Sequence, residues 1–341
     1  MTPSPRDLGY RMPAEWEPHE ATWLAWPHNE DDWPGRFEPI AWVYGEIIRK
    51  LSQVEKVRIL LQNDDAEFNA RKVLDKAGVQ WEAIEFFPLQ TDRVWTRDFA
   101  PLFVRNEAGQ VAAVKWNFNG WGKYPNHLRD EAAGIAIPDL VDVDWWRPDI
   151  VLEGGSVDVN GAGLLLTTEE CLLSPIQARN PELTREQIEA ALAANLGVDR
   201  VLWLNKGIEG DDTHGHVDDL ARFTDPETIV MVSEGDKQDP NYRPLRENWG
   251  IVKHFPVRAV KLPMPEPLYF DGQRLPASYA NFYIANKLVL VPTFNDPNDR
   301  IALNILAECF PDRQVTGINC VELVWGLGTL HCMTQQQPLT S

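Results

Sequence analysis

Short apolar runs, separated by polar turns, recur along the whole chain. Runs rich in β-branched and aliphatic residues and bounded by Gly, Pro, Asn or Asp predict strands. The predicted strands are residues 57–62, 101–105, 111–118, 149–155, 163–168, 200–205, 228–233, 287–294 and 314–318. This pattern favours many short elements over a helical bundle.

Fewer segments show the apolar spacing of an amphipathic helix. The predicted helices are residues 37–53, 66–78, 184–196 and 299–310. The third opens with Thr184 and Gln187, which form the pattern of a capping box, and ends at Gly197. Strands outnumber helices and alternate with them irregularly, which predicts an α/β or α+β fold rather than a doubly wound sheet with long crossovers.

Two segments rich in Pro, Gly or Asp interrupt this pattern. Residues 262–276 have the composition of a long surface loop, and residues 235–250 are a candidate for a loop that closes over a site. Neither has the length or composition of an interdomain linker. We therefore expect a single catalytic domain over residues 1–341.

The formal net charge of −19 limits the class of partner. It repels phosphate backbones and anionic membrane surfaces, so we expect neither nucleic acid nor a membrane as partner, and it favours a small cationic ligand. The N-terminal residues contain no apolar h-region, so we expect no secretory signal, and no apolar stretch approaches the roughly 18 residues that a membrane span needs. Four cysteines are too few for a disulfide framework, so we expect reduced thiols in a cytoplasmic protein. A homo-oligomer is compatible with the sequence.

Acidic residues stand at the ends of two apolar runs. Asp98 follows Arg97 at the mouth of a predicted strand, and Glu153 ends a predicted strand directly before Gly154 and Gly155. Two glycines at that point permit a close approach of another group to the backbone, or a bulge. Taken singly, each acid is also compatible with a turn or a solvated sheet rim.

The stretch "GDDTHGHVDDLARF", residues 210–223, is the richest in titratable groups. If residues 212–218 are extended, Asp212, His214, His216 and Asp218 share one face, because side chains alternate along a strand. Three interpretations stay open: a metal site built on the His-x-His pair, a solvated polar loop, and a catalytic histidine with a flanking acid. No further Cys or His pair stands at zinc spacing.

The chain closes with "WGLGTLHCMTQQQP", residues 325–338. Glycines before Cys332 and three glutamines after it predict an exposed turn, although a free cysteine is more often a small buried apolar residue. An exposed thiol beside a histidine is a candidate nucleophile. Carboxylates around a thiol raise its pKa and repel an oxyanion, which argues against a protease. They suit a cationic substrate, since two aspartates bind a planar guanidinium well and the bound cation favours the thiolate.

Further motifs occur in a fixed order along nearly the whole chain. They are "MPAEWEPHEATWLAWP" 12–27, "WTRDFAP" 95–101, "WNFNGWG" 116–122, "LEGGSVDVNG" 152–161, "LLTTEECLLS" 165–174, "GHVDD" 215–219, "PEPLYF" 265–270, "ASYANFYIAN" 277–286 and "HCMTQQQP" 331–338. Together they resemble the agmatine deiminase and bacterial (Porphyromonas-type) peptidyl-arginine deiminase family of the guanidine-modifying, or pentein, superfamily. The resemblance implies an α/β pentein propeller of about five ββαβ-type units around a pseudo-fivefold axis, with the active site in the centre.

The resemblance also implies a role for each candidate side chain. Cys332 would be the nucleophile and His216 the general acid and base, while Asp98 and Asp218 would bind the guanidinium. Glu153 would hold a substrate nitrogen and orient His216. No metal and no organic cofactor is implied, and His214 and His331 would be neighbours rather than catalysts.

Three tryptophans are candidates for contacts with the substrate tail. Trp95 precedes the Arg-Asp pair, and Trp116 and Trp121 belong to the "WNFNGWG" stretch. Either of the latter two could line an aliphatic tail or attract a cation, and both are equally compatible with a place in the core.

The activity implied by the resemblance is hydrolysis of agmatine to N-carbamoylputrescine and ammonia, a step of putrescine and polyamine synthesis. Two departures from the family pattern bear on the substrate. Arg93 stands where an acid is common, and Leu327 and Thr329 alter the glycine-rich turn before the cysteine. A deiminase of arginine, modified arginine or peptidyl-arginine is therefore the alternative, followed by a metal hydrolase and a non-catalytic binder of cations.

Overall fold

The computed structural model describes residues 3–340. Its strands are β1 (His19–Ala25), β2 (Lys56–Leu61), β3 (Ile84–Pro88), β4 (Leu102–Arg105), β5 (Val111–Val114), β6 (Trp145–Trp146), β7 (Asp158–Val159), β8 (Leu164–Thr168), β9 (Arg200–Leu204), β10 (Ala221–Asp225), β11 (Thr228–Ser233), β12 (Arg258–Pro263), β13 (Tyr269–Phe270), β14 (Gln273–Arg274), β15 (Tyr283–Ala285), β16 (Leu288–Thr293), β17 (Gln314–Asn319) and β18 (Gln335–Pro338). Its α-helices are α1 (Ile40–Leu51), α2 (Asp64–Ala77), α3 (Thr96–Phe99), α4 (Leu128–Leu140), α5 (Glu169–Leu172), α6 (Arg185–Leu196), α7 (Tyr242–Val252) and α8 (Pro297–Cys309).

One unit recurs five times within these residues. In each unit the first strand pairs antiparallel with the second, and a third strand pairs parallel with the second. The units are β4-β5-β6, β7-β8-β9, β10-β11-β12, β15-β16-β17 and β18-β1-β2, the last extended by β3. A helix connects the second and third strand of every unit, because a parallel pair needs a long crossover.

The two ends of the chain meet in one unit. Strand β18 pairs antiparallel with β1, so that Thr22 lies opposite Gln336. Units that follow one another in the chain are in contact: β18 with β4, α3 with the Gly154–Ser156 turn, β7 with β10, and α8 with β12. Helix α1 of the first unit also contacts β17 of the last one. These contacts agree with the pentein architecture that the sequence resemblance implied.

Most sequence-predicted elements are present. Eight of the nine predicted strands and all four predicted helices have counterparts, and Thr184 and Gln187 form the predicted capping box. The strand predicted at 149–155 is wrong: Val151 makes one isolated bridge, and Gly154–Ser156 is a 3-10 turn. A contact with a distant part of the chain replaces the strand. The backbone of Gly154 packs against the carbonyl oxygen of Arg97, and a Cβ on Gly154 would lie 2.3 Å from that oxygen.

Two predicted loops are partly regular. Helix α7 occupies residues 242–250 of the segment 235–250 and buries Leu245 and Val252, so only residues 235–241 are a loop. Residues 262–276 contain the hairpin β13–β14, and Phe270 and Leu275 from it line the cavity described below.

The glutamine run after Cys332 is buried rather than exposed. Gln335–Gln337 begin β18, and their side chains find partners inside the protein: Gln336 accepts from Arg97, and Gln337 accepts from Trp23. A buried amide is tolerated when it is hydrogen-bonded, which is why a polar sequence forms an interior strand here. Within residues 3–340, no helix is both long and apolar enough to cross a membrane.

Candidate active site

The candidate residues share one structural position. In every unit the segment just before the first strand points to the same region: Asp98 before β4, Glu153 before β7, His216 and Asp218 before β10, Asn281 before β15, and Cys332 before β18. Residues far apart in sequence thus come together because the repeated unit places the start of each first strand equivalently. Asp98 and Cys332 from this group line a cavity of about 220 Å³, together with Trp95, Trp121, Arg93 and Leu327. His216 lies behind them, 3.8 Å from Asp98, and Asp218 lies 3.8 Å from the Cys332 thiol.

Cys332 lies in a buried turn, only 6% exposed, so the expectation of an exposed thiol is wrong. Gly326 and Gly328 are required there because a Cβ would lie 2.7 Å from Trp33 and 2.8 Å from Trp95. The Asn281 amide nitrogen donates to Sγ over 3.1 Å. Burial raises the pKa of the Cys332 thiol well above its usual range, and nearby carboxylates raise it further.

His216 lies among carboxylates. Its Nε2 is 3.5 Å from Glu153 Oε2, and its Nδ1 is 3.8 Å from Asp98 Oδ1. Burial lowers the pKa of His216, but the neighbouring Asp98 and Glu153 overcome this, and the pKa is raised well above its ordinary value. The imidazole is therefore protonated at neutral pH. Neither ring nitrogen has a hydrogen-bond partner.

Glu153 is held by a buried arginine that the sequence reasoning did not identify. Arg179 Nε donates to both carboxylate oxygens, at 3.0 and 3.2 Å. Burial raises the pKa of Glu153, but Arg179 and His216 lower it to about 2. Glu153 is consequently ionised at neutral pH, and its Oε2 also faces His216 Nε2.

Asp98 is fixed by two donors. The Gly155 backbone N–H donates to Oδ1 over 3.0 Å, and the Trp121 indole N–H donates to Oδ2 over 2.9 Å. A Cβ on Gly155 would lie 2.5 Å from His216 Nδ1, which confirms the close approach predicted from the glycine pair. Burial raises the pKa of Asp98 to about 6.

Asp218 has one engaged oxygen and one free one. Its Oδ2 lies 2.7 Å from His331 Nδ1 and 3.8 Å from the thiol of Cys332. Its Oδ1 is buried and has no hydrogen-bond partner. Burial raises the pKa of Asp218, yet His331 and His216 bring it below its usual value, so the carboxylate is ionised.

The extended conformation proposed for residues 212–218 is wrong. The segment turns, with φ of +63° at His214, and ends in a 3-10 turn from Val217 to Asp219. His214 therefore leaves the site and its ring lies 3.0 Å from the Ser174 hydroxyl. Asp212 lines the rim of the cavity, where it pairs with Lys123 and accepts from the Tyr124 hydroxyl.

The three candidate tryptophans have different positions. Trp95 and Trp121 line the cavity. Trp116 is buried in a separate core cluster with Leu102 and Leu165, so the structure does not bring it to the site. The indole of Trp121 donates to Asp98, which makes it a support for a carboxylate as well as a wall.

Sequence reasoning missed four residues that belong to this region: Asn281, Arg179, Cys171 and Glu15. All four stand in or near motifs that carried the family resemblance, but no spacing rule gave them a role. Cys171 comes close to Glu153 and His216, with ligand atoms within 4.8 Å of one another. Arg179 already donates to both oxygens of Glu153, so a metal ion at this group would have to displace a buried cation.

Comparisons with known proteins place the chain in a family. A family model for Porphyromonas-type peptidyl-arginine deiminases matches residues 11–338. An agmatine deiminase of Enterococcus faecalis is 33% identical, with a TM-score of 0.92, over 100% of this chain and 99% of that one. An agmatine deiminase of Campylobacter jejuni, solved with substrate bound, is 31% identical, with a TM-score of 0.89, over 97% of each chain.

More distant structures share the fold alone. An amidinotransferase from Microseira wollei is 10% identical, with a TM-score of 0.51, over 96% of each chain. A cyanobacterial arginine dihydrolase is 12% identical, with a TM-score of 0.53, over 93% of this chain and 40% of that one. The fold is that of the pentein superfamily.

Proposed function

This chain belongs to the Porphyromonas-type peptidyl-arginine deiminase family, and we propose that it acts as an agmatine deiminase through a covalent intermediate on Cys332. One observation carries the proposal: the Cys332 thiol and the Asp98 carboxylate line one cavity, and the His216 imidazole and the Glu153 and Asp218 carboxylates lie directly behind them. Both ring nitrogens of His216 and Oδ1 of Asp218 are buried without a hydrogen-bond partner. Buried polar atoms are normally paired, so these are the atoms that a polar ligand would satisfy.

Asp98 and Asp218 are the proposed guanidinium-binding pair. Each is already oriented through one oxygen or more by the protein, and both flank His216. A planar guanidinium can donate to two carboxylates at once, which is the strongest directional pairing available to it.

The balance of buried charge explains how a thiol with a raised pKa becomes a nucleophile. The site holds more buried carboxylates than buried arginines: Glu15, Asp98, Glu153, Asp158, Asp218 and Asp219, against Arg97, Arg179 and Arg222. The carboxylates nearest the thiol, Asp218, Asp219 and Asp98, add to the effect of burial and raise its pKa. A bound guanidinium places a positive charge beside them and offsets this effect, so the substrate itself promotes the thiolate.

The reaction then follows in two stages. The Cys332 thiolate attacks the guanidinium carbon, and protonated His216 gives its proton to a departing nitrogen, which leaves as ammonia. An S-alkylthiouronium remains on Cys332, and His216 is now neutral. It takes a proton from a water molecule that attacks the same carbon. Cleavage of the C–S bond returns the thiolate, and the hydroxyl proton of the product passes to this thiolate, which gives the ureido product and restores the resting thiol.

The cavity suits a short aliphatic tail. Trp95, Trp121 and Leu327 supply apolar walls. In the sequence, Arg93 is a positive charge at a position where an acid is common, which argues against a substrate ammonium nearby. In the structure Arg93 is ion-paired with buried Asp32, and its Cζ lies 4.3 Å from the centroid of the Tyr124 ring. Its charge is therefore compensated within the protein, which favours agmatine over a guanidine that carries a carboxylate.

The remaining expectations accompany this function. We infer a single catalytic domain, a cytoplasmic location, a small cationic guanidine as the partner, and a reaction without a metal or organic cofactor.

The test is to measure ureido product from agmatine, free arginine and a blocked arginine peptide side by side. We expect turnover of agmatine by the unmodified enzyme, and retained binding without turnover by Cys332→Ser. Turnover of a carboxylate-bearing guanidine in place of agmatine would keep the mechanism and overturn the substrate. Turnover by Cys332→Ser would overturn the mechanism, and loss of activity in a chelator would favour a metal hydrolase.

A further inference from the structure

His331 bridges two buried carboxylates behind the site. Its Nδ1 lies 2.7 Å from Asp218 Oδ2, and its Nε2 lies 2.8 Å from Glu15 Oε2. All three side chains are buried. The array joins the N-terminal segment to the turn that carries Cys332, since Glu15 and His331 are 316 residues apart.

The two contacts of His331 place its ring between two acceptors. Both ring nitrogens face carboxylate oxygens. Arg222 and His331 outweigh burial and hold the pKa of Glu15 well below its usual range, and the pKa of Asp218 is also lowered. Because ionised carboxylates only accept hydrogen bonds, the imidazole is the donor in its contact with Asp218.

Glu15 is anchored independently of His331. Its Oε2 accepts from Arg222 Nη2 over 2.8 Å, and its Oε1 accepts from the Ile284 backbone N–H over 2.7 Å. Arg97 Nη2 lies 3.6 Å from the same carboxylate. The far end of the array is therefore fixed by β10, β15 and α3, and His331 transmits this fixed position to Asp218.

A carboxylate is planar, so holding one oxygen restricts the other. Oδ2 of Asp218 is held by His331, and Oδ1 is the unpartnered atom, 4.0 Å from His216 Nδ1. We propose that His331, backed by Glu15, is a positioning residue that fixes Asp218 through Oδ2 so that Oδ1 is presented to the guanidinium. This rests on the proposed function in one respect, because it takes Asp218 as a guanidinium-binding carboxylate.

The experiment is a double-mutant cycle for guanidine binding. All variants carry Cys332→Ser so that bound agmatine is not consumed, and calorimetry gives the dissociation constant. In this background His331→Asn keeps a short side chain with a neutral donor towards Asp218 but removes the imidazole that connects Asp218 to Glu15. We expect it to weaken agmatine binding by about tenfold, which corresponds to the loss of one charge-assisted hydrogen bond. In a background that also carries Asp218→Asn, the same change has little further effect.

A matched control separates positioning from general damage to the turn. Thr334→Val removes a buried hydroxyl that donates to the Leu330 and His331 backbone carbonyls in the same turn and leaves the His331 side chain with both its partners. It should lower the melting temperature and leave agmatine binding within about twofold. If His331→Asn fails to fold, Glu15→Gln replaces it in the cycle, since this change keeps the size of the side chain and the imidazole and removes one ionised partner.

The outcomes are distinct. An equal loss of binding with Asp218 intact and with Asp218→Asn overturns the positioning role, as does a His331→Asn variant that binds like its parent. In both cases the proposed function stands. Failure of the Cys332→Ser parent to bind any of agmatine, arginine or a blocked arginine peptide overturns the proposed function and this inference together.

Discussion

Two layers of charged side chains meet at Asp218, and they differ in hydrogen bonding. The support layer consists of Glu15, Asp158, Arg222 and His331. Arg222 Nε donates to Asp158 over 3.0 Å, its Nη2 donates to Glu15, and both nitrogens of His331 are engaged. The substrate face consists of Asp98, Glu153, His216 and Cys332, and here both nitrogens of His216 have no partner.

This difference in hydrogen bonding predicts which substitutions reduce stability and which reduce activity. A buried polar atom without a partner costs about 1–3 kcal/mol, so such atoms persist where a ligand supplies the partner. A fully paired buried network instead makes its members depend on one another. Changes in the support layer should therefore reduce stability first, whereas changes on the substrate face should reduce activity at little cost in stability.

The largest effect on stability is expected from Arg222→Met. This change leaves Glu15 and Asp158 as buried carboxylates without their cation, which should lower the free energy of unfolding by about 3–5 kcal/mol. Denaturant titration measures it. Arg243→Met is the control, because Arg243 is 88% exposed and its pair with Glu247 lies on the surface of α7. Similar losses in the two variants would contradict the distinction between the layers.

Asp98→Asn should show the opposite behaviour. Loss of the proposed guanidinium-binding carboxylate should reduce kcat/KM about a hundredfold, equivalent to roughly 3 kcal/mol. Asn accepts only one of the two hydrogen bonds made by Asp98, but burial raises the pKa of Asp98 to about 6, so removal of the buried charge offsets that loss. The free energy of unfolding should therefore stay within about 1 kcal/mol of the parent. A stability loss as large as that of Arg222→Met would contradict this.

The pH dependence of kcat/KM is a second test of the proposed role of Asp98. In its proposed role Asp98 binds the guanidinium as a carboxylate, so kcat/KM should fall as the pH drops through about 6. The Trp121 indole N–H lowers the pKa of Asp98, and Trp121→Phe removes that donor. The acidic limb should then move to higher pH, whereas Trp95→Phe, which removes no donor to Asp98, should leave it in place. If the acidic limb does not move in Trp121→Phe, a group other than Asp98 is responsible for it.

The smallest effect concerns the turn before Cys332. Leu327 has φ of +67°, a conformation that costs an L-residue about 1 kcal/mol. Leu327→Gly should raise the free energy of unfolding by up to about 1 kcal/mol and raise KM, because Leu327 also lines the cavity. Leu327→Ala removes most of the same side chain without relieving the backbone, so it should raise KM without the gain in stability. Equal stability of the two variants would mean that the turn is not strained.

Local signals in the sequence were sufficient for some features. The capping box at Thr184 and the glycine at 197 fixed the ends of α6, and the glycines at 154 and 155 indicated a close backbone contact that His216 and Asp98 make. These features depend on neighbours within a few residues, or on a property that only glycine has.

Features that depend on distant partners were not predictable in this way. Gln337 is an interior residue because Trp23 and Arg58, on other strands, donate to it. The cysteine is buried because Trp33 and Trp95 cover the glycine turn. The Glu15–His331 contact spans nearly the whole chain, so no local pattern could have revealed the support layer.

The most direct test of the proposed chemistry is acid quenching of the enzyme during turnover of agmatine, followed by mass spectrometry of the peptide that contains Cys332. We predict a thiouronium adduct on Cys332, equal in mass to agmatine less ammonia, which is absent from Cys332→Ser. Ureido product formed without an adduct, together with turnover by Cys332→Ser, would contradict covalent catalysis at this thiol.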